Sequence, residues 1–372
     1  MSEAQSCPAC GSSVAPTDQF CESCGAALHA ASTTAYAARS DDDTRTHLIE
    51  PPGPSGTDAA AETVPSPLPP CAACGGAVDE QRWCTVCGLR APSPRDHWSE
   101  QPAAWVGAVC DRGIRHARNE DAMATAADGE PGSFCALVVC DGVTTAAASD
   151  VAALAACKAA IDVLTTGRER ANGSPATHVV HWTARIEAAS LAANDAATAV
   201  AATVPPDAEP PSCTFVAAVV DGPFVVAGWV GDSRAYWFPD AGQPVQLTID
   251  DSWATDQVAL GMSRDAAEAD SRAHSITRWL GVDAGDATAR CASLPIDGPG
   301  WLLVCSDGLW NYCSPAEDLR SLLHGFIETN GDDPVKLSDS LVAFANQAGG
   351  HDNITVALAH VPDPHKPRSN DG

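Results

Sequence analysis

Three apolar runs of strand length end on an aspartate and a fourth begins beside one, and no other feature confines this chain so closely. Phe134–Cys140 leads into Asp141-Gly142, Phe224–Val230 into Gly231-Asp232, and 301–305 into Ser306-Asp307-Gly308. Asp352 stands just ahead of a run over 354–360, and an earlier segment supplies Asn119-Glu120-Asp121. Uninterrupted apolar runs of this length read as buried strands, and further ones fall at 105–109 and 213–220. Alanine-rich segments over Ser149–Thr165, 177–204, 265–280 and Pro334–Ala348 read as helices. Strands in clusters with long helices between them predict an α/β or α+β sandwich. With 45% hydrophobic residues in 372, the chain can bury a sizeable core.

If adjacent strands bring these ends together, several carboxylates share one cleft. Like charges that close repel unless protons or cations compensate them. Oxygen ligands select Mg²⁺ or Mn²⁺. Glycine after Asp141 leaves a backbone carbonyl accessible as a further ligand. Two such ions about 3.5–4 Å apart recur in phosphoester hydrolysis, where they activate a water and neutralise charge on the phosphoryl oxygens. Each piece alone has a plain reading, since Asp-Gly is commonly a turn. Their joint occurrence after buried-looking strands carries the weight.

Half of the 16 cysteines lie before residue 90, in a repeated pattern. Cys7 and Cys10 pair with Cys21 and Cys24, and Cys71 and Cys74 pair with Cys84 and Cys87. Every CxxC is followed by glycine, whose freedom at positive φ lets N–H groups turn towards the sulfurs. Four thiolates per unit suit tetrahedral Zn²⁺, so two structural zinc ribbons are expected rather than disulfides or a redox pair. Each should close on itself, because a swap across the intervening chain costs more loop entropy. The expected layout is a ribbon at 1–28, a flexible Ala/Pro/Ser/Thr-rich linker at 29–70, a second ribbon at 71–91 and a linker at 92–102. The main domain follows at 103–362, with a disordered tail at 363–372. The scattered later cysteines, such as Cys135, Cys140 and Cys305, read as small buried hydrophobes.

Charge narrows the partners. With 21 Lys and Arg against 48 Asp and Glu, the net charge of -27 argues against nucleic acid and against anionic membranes. Residues 1–98 alone carry 5 Lys and Arg against 12 Asp and Glu, so the ribbons are expected to bind protein or serve structure. The polar start and the lack of any apolar stretch of about 18 residues predict no export signal and no membrane span, hence a cytoplasmic, reducing location.

The motifs DRGIRHARNEDA (111–122), VVCDGV (138–143), GDSRAY (231–236), LVCSDGLW (303–310) and GGHDNITV (349–356) together resemble the PPM-type, or type 2C, protein phosphatases. Cys213-Thr214, Leu247-Thr248 with Asp250 and Ser252, and Leu280-Gly281 are smaller echoes in the same order, so the likeness spans about 105–361. It implies an α+β, four-layer α-β-β-α sandwich, two antiparallel sheets flanked by helices. It implies a serine/threonine phosphatase that acts on phosphorylated proteins, the substrates of serine/threonine kinases, with two Mn²⁺ or Mg²⁺ and a weak third. Asp141, Asp307 and Asp352 would hold one ion. Asp141, the carbonyl of Gly142 and Glu120, partly through water, would hold the other. Asp121 would support the cluster from its rim, Asp232 would serve the third site, and 251–275 would be the flap over the substrate.

This chain departs from the family in places. The phosphate-binding arginine usually found four residues before Glu120 is His116, flanked by Arg115 and Arg118. Arg118 is the candidate for that role, with Arg115 or a protonated His116 as alternatives. Thr144-Thr145 replace a customary double glycine, and Asn311 replaces a customary aspartate, which should weaken the third metal site. The competing function is a catalytically weak or inactive phosphatase-fold sensor or scaffold with protein-binding ribbons. A zinc-ribbon nucleic-acid factor is disfavoured by the charge.

Overall fold

A computed structural model describes residues 5–6, 13–14, 69–79, 82–168 and 174–365, and the chain divides into two compact units, Met1–Ala91 and Pro92–Gly372. Cys7, Cys10, Cys21 and Cys24, residues 29–68 of the expected linker and residues 366–372 of the tail lie outside the described residues. In the first unit, strands β1 (Gln5–Ser6) and β2 (Ser13–Val14) pair antiparallel. Around the second cysteine group, isolated bridges join Val78 to Cys84 and Trp83 to Arg90.

The second unit runs β3 (His97–Ala103), β4 (Val106–Asp111), β5 (Ala122–Ala127), β6 (Phe134–Cys140), α1 (Ser149–Thr165) and α2 (Pro175–Ala201). It continues with β7 (Ser212–Cys213), β8 (Phe215–Asp221), β9 (Phe224–Val230), β10 (Arg234–Pro239), β11 (Val245–Gln246), α3 (Trp253–Ala259) and α4 (Arg264–Glu268). It ends with β12 (Leu280–Gly281), β13 (Arg290–Pro295), β14 (Gly300–Cys305), α5 (Asp307–Trp310), α6 (Ala316–Asn330), α7 (Pro334–Ala348) and β15 (Ile354–Val361). One antiparallel sheet has the order β11-β10-β14-β15-β4-β3 and the other β13-β9-β8-β6-β5.

The sheets pack face to face and each carries helices on its outer side. On β6, Cys135, Leu137 and Val139 point into the core between the sheets, whereas Phe134, Ala136, Val138 and Cys140 meet α1 and α2. On β15, Ala357 and Ala359 face the intersheet core, and Ile354, Val356 and Leu358 meet α6 and α7. Both faces of each central strand are buried, which is why these strands read as continuous apolar runs and not as alternating ones. The expected four-layer α-β-β-α arrangement is the one observed. Among the described residues no helix is long and apolar enough to cross a membrane.

Two readings of the sequence are corrected. The linker expected at 92–102 is largely β3, which pairs with β4 at the sheet edge. Its mixed sequence, HWSEQPA, reflects an edge strand half in water, and such strands lack the apolar signature of central ones. The helix expected at 265–280 stops at Glu268. Asp270 there accepts from the N–H of Arg272, a local turn that competes with the helical ladder.

Candidate metal centre

The strand register brings the acidic residues to one end of the sandwich. Ala122 pairs with Cys140, so Asp121 and Asp141 leave the β5–β6 ladder side by side. Arg234 pairs with Cys305, and Cys305 with Val356. The same end of the other sheet therefore delivers Asp232 before β10, Asp307 after β14 and Asp352 before β15.

Neighbouring side chains and backbone fix these groups in place. Asp121 is fully buried, and its Oδ2 accepts from Ser306 Oγ and Thr355 Oγ1, both at 2.7 Å. The N–H of Asp141 donates to Thr214 Oγ1 at 3.0 Å, and its carbonyl accepts from Thr214 N–H at 2.7 Å. Asn353, which is buried, staples the loop before β5. Its Oδ1 accepts from the Glu120 N–H at 2.7 Å, and its Nδ2 donates to the carbonyls of Arg112 at 2.8 Å and Arg118 at 3.0 Å. Asp307 Oδ2 accepts from Asn311 Nδ2 at 3.0 Å. Asp352 Oδ1 accepts from the N–H of Asn353 at 2.8 Å, and its side chain is 38% exposed. Gly142 is obligatory for close packing, because a Cβ there would stand 2.7 Å from the carbonyl oxygen of Glu120.

The electrostatics are those of a crowded acidic cleft. Burial pushes Asp141 and Asp307 well above the carboxylate range, and the neighbouring aspartates add to it. Asp121 rises to about 7, through burial against the two hydroxyl donors that pull it down. Asp232 also rises to about 7, through burial and then the charge of Asp250. Three buried carboxylate oxygens, Glu120 Oε2, Asp121 Oδ1 and Asp307 Oδ1, accept no hydrogen bond. Orphaned oxygens in a cluster that repels its own charge must be met by protons or cations, and an all-oxygen set fits hard divalent ions.

The predicted phosphate-binding group divides. His116 stands inside the ring, with Nδ1 3.8 Å from Glu120 Oε2 and Nε2 3.3 Å from Asp352 Oδ1. Its pKa is raised, first by the facing Glu120 carboxylate, although burial opposes it. Arg118 donates from Nε to Glu120 Oε1 at 2.9 Å while its side chain stays 46% exposed. Arg115 is exposed, and its backbone N–H binds the Gly350 carbonyl. Thr144 and Thr145 are exposed on the loop beyond Gly142. Ser306, Thr355 and Asn353 were given no role in the sequence, and Thr214 stood only as part of a smaller motif echo; adjacency to Asp307, Asp352 and a strand start was the other signal available.

In the first unit, Cys71, Cys74, Cys84 and Cys87 bring their sulfurs within 4.8 Å of one another, the only group this tight among the described residues. Gly75 and Gly88 both adopt φ of 71°, and each donates its N–H back to the carbonyl of the first cysteine of its pair. The N–H groups of Cys87 and Val86 pull Cys84 down to about 6. At Cys74 the bond from Gly76 is outweighed by the adjoining thiols of Cys87 and Cys84, and its pKa stands at about 12. Four thiols this close cannot all ionise without a cation, and their number and type fit zinc.

Comparison with known proteins bears on both units. The profile of protein phosphatase 2C matches residues 112–345, and a zinc-ribbon domain profile matches residues 3–28. The serine/threonine phosphatase stp of Listeria welshimeri is 33% identical over 146 residues, which is 39% of this chain and 55% of that protein. The protein phosphatase PhpP of Streptococcus pneumoniae is 33% identical over 145 residues, again 55% of its length. The chain thus spans about half the length of these relatives. The solved Mycobacterium tuberculosis serine/threonine phosphatase PstP/Ppp superposes with a TM-score of 0.54 at 26% identity, covering 69% of this chain and 98% of that one. A PstP catalytic domain solved with two manganese ions gives 0.51 at 27% identity, covering 69% and 97%.

Proposed function

The chain belongs to the protein phosphatase 2C family, and from that premise we propose that it hydrolyses phosphoserine and phosphothreonine in proteins with the help of two Mn²⁺ or Mg²⁺ ions. The observation that carries the reading is the meeting of Glu120, Asp121, Asp141, Asp232, Asp307 and Asp352 at one end of the sandwich, with three buried oxygens left without donors. Asp141, Asp307 and Asp352 would hold one ion, and Asp141, Glu120 and the Gly142 carbonyl the other. Asp121 would brace the rim, and Asp232 would serve a weaker third site. Bound divalent ions supply Lewis-acid charge, which lowers the pKa of water and offsets charge on phosphoryl oxygens.

The chain's own residues orient the rest. The Asn311 amide fixes the rotation of Asp307. Thr214 fixes the backbone of Asp141, which would orient its carboxylate and the following carbonyl as ligands. Among the described residues no hydrogen bond uses the Nη groups of Arg118, and these are suited to a bidentate grip on a phosphoryl group. His116, held between Glu120 and Asp352, adds positive charge to the same rim. Arg115, exposed on the same loop, would be an alternative contact for the phosphate.

The cysteine groups are proposed to bind one structural Zn²⁺ each, in ribbons at 1–28 and 71–91 that are joined by a linker. A tethered module of this kind raises the effective concentration of a phosphoprotein substrate. The deciding assay is hydrolysis of a phosphothreonine peptide with and without Mn²⁺, comparing the full chain with Asp141→Asn and Asp307→Asn. Metal-dependent turnover abolished by both substitutions supports the proposal. Absence of turnover in folded, metal-loaded wild type refutes it in favour of a phosphatase-fold sensor, with His116 in the usual arginine position as the first suspect.

A further inference from the structure

The segment Ser93–Asp96 precedes the first residue matched by the family profile, yet it is bonded to the acidic cluster. It is itself a tight turn: the Ser93 N–H donates to Asp96 Oδ2 at 2.8 Å, the Asp96 N–H donates to the Ser93 carbonyl at 2.9 Å, and the Asp96 carbonyl accepts from the Arg112 N–H at 2.8 Å. From this turn the Arg95 guanidinium spans two backbone carbonyls far apart in sequence. Nη2 donates to Asp121 at 2.7 Å and Nη1 to Asp150 at 2.9 Å. The Arg95 carbonyl accepts from Asn119 Nδ2 at 3.0 Å, and Asn119 Oδ1 accepts from the Asp121 N–H at 3.1 Å. The loop 119–121 is thereby held on both sides by one residue. Asp150 lies in the first turn of α1, beside Ser149, whose Cβ and carbonyl oxygen stand 3.0 Å from where a Gly142 Cβ would be. One cation thus ties the loop that carries Glu120 to the start of α1, which packs against Gly142.

We propose that Arg95 is a positioning residue for the binuclear metal site, setting the spacing between the 119–121 loop and the start of α1 and through it the affinity for divalent ions. The proposal rests on the reading of the acidic cluster as a metal site. Arg95 touches neither substrate nor a carboxylate oxygen of the cluster; it acts through main-chain carbonyls. Its planar fork reaches two acceptors at once, which a lysine ammonium cannot reproduce in the same geometry. Partners that orient metal ligands in this way are typically worth about 10–100-fold in metal affinity.

The test uses the full chain and Mn²⁺ alone as the probe, titrated calorimetrically against wild type, Arg95→Ala, Arg95→Lys and Arg320→Ala, with a melting curve for each. Arg320 also binds a carbonyl and a carboxylate, those of Gly242 and Glu317, but on α6 away from the cluster. The expected result is Mn²⁺ affinity weakened by roughly 10-fold or more in Arg95→Ala, by less in Arg95→Lys, and unchanged in Arg320→Ala. Added guanidinium ion should restore part of the loss in Arg95→Ala. Unchanged Mn²⁺ affinity in Arg95→Ala would overturn the proposal, as would an equal loss in Arg320→Ala, which would mark a general effect of destabilisation. Should Arg95→Ala fail to fold, Arg95→Lys with wild-type affinity would overturn it equally. Because the readout is binding, wild type that binds Mn²⁺ without turnover would sink the phosphatase reading and leave this inference standing. Wild type that binds no Mn²⁺ would sink both.

Discussion

Replacing Thr355 by valine removes one hydroxyl from Asp121 without changing the shape of a fully buried side chain. Asp121 Oδ2 has two hydroxyl donors, Thr355 and Ser306, each at 2.7 Å, and its pKa already stands at about 7 because burial outweighs them. A hydrogen bond to a charged group contributes about 1.5–3 kcal/mol, so losing one should raise the pKa by roughly 1–2 units. At pH 7 the carboxyl is about half ionised in the wild type; in the variant the ionised fraction falls to roughly a tenth to a hundredth. Metal must displace the remaining proton, so the apparent Mn²⁺ affinity at pH 7 should drop by about 5–50-fold and recover above pH 9. Calorimetric Mn²⁺ titrations from pH 6 to pH 9 read this directly. A loss that is the same at every pH would refute the reasoning, since it would mean that Thr355 shapes the site without tuning Asp121. No loss at pH 7 would refute it as well.

Other expectations follow from the same geometry. In the metal-free protein, Asp121 and Asp232, both raised to about 7, stabilise the fold in their protonated forms, and that contribution is lost as pH rises from the ordinary carboxylate range through about 7. Melting curves of chelator-treated protein should therefore show a lower Tm at pH 8 than at pH 5.5, and added Mn²⁺ should raise Tm more at pH 8; the opposite order would contradict the assignment. Ala148, which precedes α1, sits at φ 56°, a left-handed conformation costly for a residue with a Cβ. Ala148→Gly should stabilise by about 0.5–1 kcal/mol in urea unfolding, the relief of strain exceeding the added chain entropy. Cys84→Ser should cost one equivalent of zinc by metal analysis while leaving Mn²⁺-dependent turnover on a small phosphoester within about twofold, because the cysteine group and the acidic cluster belong to separate units.

The central strands were open to reading from sequence because they are covered on both sides. β6 and β9 have the expected limits, and β14 and β15 differ only at an end residue. Each of these apolar runs also points at its acidic residue, so the carboxylates of the cluster could be named before any coordinates. Strands with a wet face or small side chains were not legible: β3 looks like linker, and β5 is mostly alanine. Helix α6 is amphipathic, with Leu319 and Leu323 buried, but it lacks the run of alanines that marked the other long helices and carries Gly325 in its interior. The supports of the cluster were hidden for a different reason. Thr355 and Asp121 are 234 positions apart and Arg95 and Asp121 are 26 apart, and nothing local marks a hydroxyl or guanidinium that will meet a particular backbone or carboxylate. The position of His116 was clear, but its contacts with both Glu120 and Asp352 required the fold.

The last strand among the described residues lies in the middle of its sheet. β15 sits between β14 and β4, and Ile354 pairs with Asp111 across most of the domain's sequence. During synthesis, β4 therefore emerges with no partner on that side and waits for the last strand. At about 5–20 residues per second that wait is roughly 12–50 s. Asp352 arrives with the same strand, so the full set of carboxylates cannot exist on a nascent chain. A ribosome-bound or prematurely ended product would carry the hydrogen-bonding edges of β4 and β14 unpaired and no complete acidic cluster. Such products are candidates for chaperone capture rather than partial activity.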